Sequence, residues 1–260
     1  MRDSNLERAL LAHRYGRAKK EENMQDNQFP SLKELLESGA HFGHSVKRRN
    51  PKMDDYVYTV RNGVQVLDLV KTKELLEKAC QYLSEVAADS GTILLLGTKG
   101  QAVDVVREEA TRIKTPYIVN RWVGGLFTNW EVLKKRVEKL ETMRREMEEG
   151  AYKKYTKKEQ VLLKRDIERL ERMYGGLVGM KELPKVLFVV DPTREDTAMR
   201  EARATGVKVV AIIDTNGDPE GLERIIPAND DSLKTVKIIV KAVAASIESG
   251  MKKASKAISH

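Results

Sequence analysis

The chain has 260 residues, with 47 lysines and arginines against 39 aspartates and glutamates for a formal net charge of +8. That is long enough for a full core and one or two domains, and the excess of mixed charge favours a polyanion, nucleic acid or an anionic membrane surface, as partner. A single cysteine excludes an internal disulfide framework and fits a reducing compartment, and no stretch has the unbroken apolar length of a membrane span.

Residues 1–30 mix Arg2, Arg8, Arg14, Arg17, Lys19 and Lys20 with Asp3, Glu7, Glu21 and Glu22. Leu6, Leu10 and His13 outline a weak amphipathic helix, and Leu10-Leu11-Ala12 is too short for the apolar core of a signal peptide. A basic N-terminal arm is expected here. The body then opens at Ser31, an N-cap with Glu34 three positions on, as in a capping box, and a short helix through Leu32, Leu35 and Leu36 ends at Gly39.

The stretch Gly39–Met53, GAHFGHSVKRRNPKM, carries the densest chemistry. Its glycines permit close backbone approach, and Lys47, Arg48, Arg49 and Lys52 surround an Asn-Pro turn that suits a polyanion. His41 and His44 are three apart, a spacing that can place two imidazoles on one metal. A structural zinc site needs about four ligands, however, and no thiolate pair lies nearby. Beside the cationic run these histidines suit RNA better, by stacking on a base or donating to phosphate.

Tyr56–Val60 and Val64–Leu67 flank Asn62-Gly63 and are expected to pair as an antiparallel hairpin. A helix follows from about Lys73 to Ala88, burying Cys80 as a small hydrophobe. From Thr92 onward strands and helices alternate. Strand Ile93–Leu96 leads through Gly97-Thr98-Lys99-Gly100 to a helix over Gln101–Ile113, and Tyr117–Val119 is a second short strand. Val186–Val190 precedes a helix through Ala198 and Ala204, and Val207–Ile213 is followed, after a loop, by a last helix from Ser232 to Ser249. This rhythm predicts an α/β fold, a doubly wound, mainly parallel sheet of flavodoxin or Rossmann type.

One insertion interrupts it. Trp130, Leu133, Val137, Leu140 and Met147, then Leu163, Ile167, Leu170 and Tyr174, form two narrow apolar seams separated by a polar turn with Thr156 as N-cap. Two antiparallel helices forming a coiled-coil hairpin over residues 128–175 are expected. The domain reading is therefore a basic arm at 1–30, an α/β body at 31–127 and 176–250, the hairpin at 128–175, and a short basic tail at 251–260.

Enzyme readings find less support. Gly97–Gly100 sits where a strand meets a helix, the usual place for a phosphate, yet it has neither the Walker spacing nor the Rossmann glycines. Lys99 and the loop amides still suit a phosphate of a polymer backbone. Asp191 and Asp214 each follow a strand and can hold Mg²⁺ together, or each can simply open a turn. No nucleophile–base pair stands out, so neither catalytic residues nor a cofactor are expected. A further dense segment, Asn120–Trp130, reads NRWVGGLFTNW, in which Arg121 and Asn129 are poorly explained as core.

Taken together, Leu35–His44, Asn50–Met53, Arg61–Gly63, Gly97–Lys99, Arg121–Gly125 with Thr128–Asn129, Leu183–Asp191 and the DTNGDP…IPANDD block from Asp214 to Asp231 resemble the bacterial small-subunit ribosomal protein S-two family. The resemblance runs from about Ser31 to Gly250 in the family's order, with Gly100 standing where a further basic residue is usual. It implies a non-enzymatic, structural constituent of the small ribosomal subunit. Implied with it are cytoplasmic location in the ribosome, contact with small-subunit ribosomal RNA, and neighbouring ribosomal proteins, including help in docking ribosomal protein S-one. By motif position it carries RNA contact onto His41, His44, Lys47, Arg48, Arg49, Lys52, Lys99 and Arg121. Two other classes are weighed against it: an α/β phosphate-binding or Mg-dependent enzyme, and a free regulatory RNA-binding protein.

Overall fold

The computed structural model describes residues 29–258, so the expected arm helix around Leu6, Leu10 and His13 lies outside the described residues, as does His260. Ser31 and Glu34 close the predicted capping box on helix α1 (Leu32–Ser38), and Gly39 ends it in the left-handed region with φ 81°.

Three antiparallel strands come next: β1 (Phe42–Ser45), β2 (Val57–Arg61) and β3 (Val64–Leu67), in the order β1-β3-β2. Asn62 and Gly63 both have positive φ, 48° and 75°, the tight hairpin turn that the dipeptide announces. Strand β1 is absent from the sequence reading, which places no element between Gly39 and Tyr56. Its composition is too polar and glycine-rich to read as a strand, and its conformation is imposed by what it docks on. A Cβ at Gly43 would lie 2.6 Å from the Thr215 side chain and 3.1 Å from the Gln65 carbonyl oxygen.

The second sheet holds β4 (Ile93–Leu96), β5 (Tyr117–Ile118), β6 (Val186–Val190), β7 (Lys208–Ile213) and β8 (Arg224–Pro227), all parallel in the order β5-β4-β6-β7-β8. Central strands β4 and β6 are apolar throughout, and β7 after Lys208, because both faces are covered. Val186, Phe188 and Val190 join one core, while Leu187 and Val189 join the other. The first core packs α2 (Leu69–Ala88), α3 (Gly100–Ile113) and α7 (Leu233–Ile258); the second packs α6 (Asp196–Thr205) and the base of α4 (Trp130–Glu148). None of the described helices is long and apolar enough to cross a membrane. Cys80 is fully buried on α2, and burial pushes its thiol up to about 12.

Several boundaries moved. Helix α2 starts four residues early because the Asp68 side chain accepts from the Val70 N–H and caps it. Edge strand β8 is missing from the sequence reading: four residues ending in proline look like a loop, and proline is tolerated there because an edge strand needs fewer ladder donors. Helix α7 runs on to Ile258 instead of stopping at Ser249, so most of the expected tail is helical. Gly250 reads as a terminator but is a crossing point, where a Cβ would lie 2.2 Å from the Ser84 carbonyl oxygen of α2.

Helix α5 (Lys157–Tyr174) follows α4, with Thr156 as its N-cap as expected, and Glu159 completes a capping box that the sequence reading does not include. The two helices lie against each other through Leu133, Val137, Leu140, Ile167 and Tyr174, with Arg144 donating to Glu171 at 2.7 Å across the pair. Met143 takes the buried place assigned to Met147, whose side chain is 46% exposed. The heptad step from Leu140 to Met147 skips the nearer methionine.

Candidate functional site

The strand order makes the gap between β4 and β6 a topological switch point, where connections leave to opposite faces and a crevice opens at the carboxyl edge. Two loops meet there. Lys99, the residue before α3, and Asp191, the residue after β6, approach to 3.2 Å, and the same Nζ lies 2.6 Å from both Asp230 and Asp231. Asp191 adopts φ 63°, a left-handed turn that lets its other oxygen accept from Thr193 and from the Arg194 N–H. Thus Lys99 already supplies the cation that these carboxylates require. Burial alone would lower its ammonium, but hydrogen bonds to Asp230 and Asp231 outweigh that and hold it raised. Asp230 moves the other way from an ordinary carboxylate. Burial, then the Asp191 charge, raise it to about 7 despite the bond from Lys99.

His44 extends this cluster from the first sheet. Its Nδ1 is 3.1 Å from Asp214 and its Nε2 3.5 Å from Asp231. Contact with Asp214 raises the imidazole, against the opposing effect of burial. Beside it the His44 N–H donates to Thr215 Oγ1 at 2.9 Å, the Asn50 N–H donates to the Thr215 carbonyl at 2.9 Å, and the Asn229 N–H donates to the Ala40 carbonyl at 3.1 Å. The Gly39–Met53 stretch and the Asp214–Asp231 block, far apart in the chain, are therefore one bonded unit. Thr215 is the residue that sequence reasoning missed. Its neighbourhood of turn residues hid it, and Gly43 was the available signal.

The remaining candidates separate by what they touch. Lys52 lies 3.1 Å from Asp218 and also pairs with Glu220, whose hydrogen bond raises its ammonium. Arg49 lies 3.7 Å from Asp54, an exposed pair of little energetic weight. His41 packs its ring on Phe42, with centroids 4.0 Å apart, and the Phe42 side chain is 52% exposed. Lys47, Arg48 and Arg121 are exposed and form no ion pair among the described residues. So the geometry joins His44 with Lys99, directs Lys47 and Arg48 outward from the same strip, and leaves Arg121 on another loop.

That loop, Asn120–Trp130, is held by a residue outside the sequence reading. Glu201 of α6 is buried, and its Oε1 accepts from the Trp122 indole at 3.1 Å and the Gly125 N–H at 2.7 Å. Its Oε2 accepts from the Phe127 N–H at 2.9 Å and more weakly from the Thr128 N–H at 3.5 Å. Trp122 also meets Phe127 edge to face at 4.9 Å. Trp130 packs into the core as expected, but its buried indole N–H finds no acceptor among the described residues. A glutamate in an otherwise ordinary amphipathic helix carries no sequence signal for such a role. A family model described as Ribosomal protein S2 matches residues 35–250.

Proposed function

Since the chain belongs to the Ribosomal protein S2 family, a component of the small ribosomal subunit, we propose that it acts there as a non-catalytic constituent that binds small-subunit ribosomal RNA. The observation that supports this most is the division of labour in the Gly39–Met53 strip. His44 ties the strip to the body through Asp214, and the Asn50 N–H does so through the Thr215 carbonyl, while Lys47 and Arg48 stand exposed without an ion pair among the described residues. Cations held in place but left uncompensated suit phosphates, and each phosphate neutralised releases counterions. In this reading Lys47, Arg48 and Arg121 are the primary contacts. Arg49 and Lys52 exchange exposed carboxylates for phosphates, His41 adds a stacking or donor contact, and His44 and Lys99 support the loops.

Helices α4 and α5 are read as a coiled-coil hairpin that carries assembly contacts, and docking of ribosomal protein S-one in the cytoplasmic ribosome follows from the same family reading. Filter binding of the purified protein to small-subunit ribosomal RNA over a salt series tests the central part. Replacing Lys47 and Arg48 with alanine is expected to weaken binding at low salt and flatten the log K against log salt slope by up to about two units, with the melting temperature unchanged. An unchanged slope would remove both residues from the interface.

A further inference from the structure

Glu201 is surrounded by an unusual number of donors for one carboxylate, and all four belong to the Asn120–Trp130 loop, which joins β5 to α4. Nothing in α6 itself needs this carboxylate. A buried, negatively charged side chain is costly unless its lone pairs are satisfied, and here the loop folds round it to do so. The loop is also held by the buried side chains of Trp122, Leu126 and Phe127 and by the Asn120 amide on the Arg172 carbonyl. Its own backbone adds bonds from the Leu126 N–H to the Val123 carbonyl at 3.0 Å and from the Asn129 N–H to the Gly125 carbonyl at 2.7 Å. Glu201 is nevertheless the one side chain that gathers its backbone donors among the described residues. Gly124 faces open space, Gly125 takes φ 83°, and helix α4 begins at an asparagine, Asn129, whose side chain makes no capping bond. Arg121, Thr128 and Asn129 are exposed on the residues flanking the anchored core of Trp122, Leu126 and Phe127. An asparagine at an N-cap position ordinarily satisfies a backbone donor of the first turn. Leaving that amide unused while the loop is held from beneath presents it, with Thr128 and Arg121, to whatever lies outside.

We infer that Glu201 is a positioning residue: from beneath, its carboxylate sets the Asn120–Trp130 loop so that Arg121, Thr128 and Asn129 present one polar edge to the RNA backbone. The inference rests on the RNA-binding reading and adds to it the means by which the second contact loop is preorganised, together with Thr128 and Asn129 as contacts. Preorganisation matters because a mobile loop must lose its conformational freedom on binding, and a loop already fixed has less to lose. Glu201 itself is buried and touches no ligand; it acts through the loop.

A double-mutant cycle on association with small subunits tests this, using full-length Glu201→Gln, Arg121→Ala and the double variant. Glu201→Gln keeps the size of the side chain but places an amide NH₂ against N–H donors. Loop order is read separately in the free protein by hydrogen exchange at Gly125 and Phe127 and by the Trp122 indole N–H resonance, one of two indole signals because the chain has two tryptophans. The expected result has four parts. Glu201→Gln shifts the Trp122 resonance and speeds exchange at Gly125 and Phe127, strand amides of β6 stay protected, association falls at least as far as in Arg121→Ala, and the double variant is little worse than Glu201→Gln alone.

Independent, multiplicative losses in the double variant would overturn the inference, as would unchanged association in Glu201→Gln with the loop visibly loosened. If Arg121→Ala leaves association unaltered while Lys47→Ala with Arg48→Ala weakens it, the RNA reading stands and the role of Glu201 falls. If none of these variants weakens association, the RNA reading itself fails and takes the inference with it. A cooperative loss of protection throughout β6 in Glu201→Gln would also overturn it, since Glu201 would then be a general stability element. Asn129→Ala provides a separate arm: it removes no side-chain hydrogen bond among the described residues, so an association loss at unchanged melting temperature supports the exposed edge, and no loss removes Asn129 from it.

Discussion

His44 shows how one side chain can serve two ends. Its ring lies against Asp214 and within reach of Asp231, and the same carboxylate cluster contains Lys99 and Asp230. Both His44 and Asp230 bind protons more tightly in the folded state, His44 through its contact with Asp214 and Asp230 through burial. A raised folded value gives stability that is complete below the unfolded value and lost as pH rises through the folded one. For Asp230 the loss extends from about 4 toward about 7, and for His44 it begins near 6.5. Asp231 is lowered by its hydrogen bond from Lys99, so its contribution fails at the acid end instead. The melting temperature should therefore decline between pH 6 and pH 8, and both His44→Gln and Asp230→Asn should flatten that decline. A decline of wild-type steepness in both variants would show that the cluster is not its source. Sequence brings Asp191 and Asp214 together at the carboxyl edge of the sheet, but leaves His44 and the Asp230-Asp231 pair in their own segments. Their meeting depends on strands β1, β6 and β7 converging at one edge, which local periodicity does not encode. Lys99 illustrates the same limit, since a loop lysine after a parallel strand suggests phosphate until its three carboxylate neighbours are seen.

At the scale of elements, the strongly periodic segments were legible and the short, docked ones were not. The five-residue run Val186–Val190 and the Asn62-Gly63 turn needed no tertiary information. Strands β1 and β8 exist because of what lies beside them. Gly250 gives a case where two readings predict opposite signs. As a simple helix terminator, replacement by alanine would be neutral or favourable by roughly 1 kcal/mol, the usual helix propensity difference. As the crossing of α7 on α2, with backbone 2.2 Å from the new Cβ, alanine should destabilise by about 1–3 kcal/mol through overpacking. Urea unfolding of Gly250→Ala distinguishes the two. For helices α4 and α5, replacing Leu133–Tyr174 with a short turn should leave the parallel sheet folded, because their contacts with it are confined to the base, while incorporation into small subunits suffers. Circular dichroism and gradient fractionation report the two outcomes, and normal incorporation would deny the helices an assembly role.

For the molecule as a whole, a doubly wound sheet places its loops at one edge, and in many α/β proteins that edge binds a small ligand. Here the crevice is occupied by internal ion pairs, and the exposed cations lie on the strip that those pairs hold. On the proposed reading, a fold often used for catalysis serves instead as a support for surface charge, in keeping with a family of ribosomal proteins. The most direct test is sucrose-gradient fractionation of cell extract at low and high salt, following the full-length protein. Co-sedimentation with small subunits at low salt, lost as salt rises and weakened by the Lys47 and Arg48 replacements, is the predicted result. Absence from small subunits at low salt, with the protein well expressed and folded, would contradict the account.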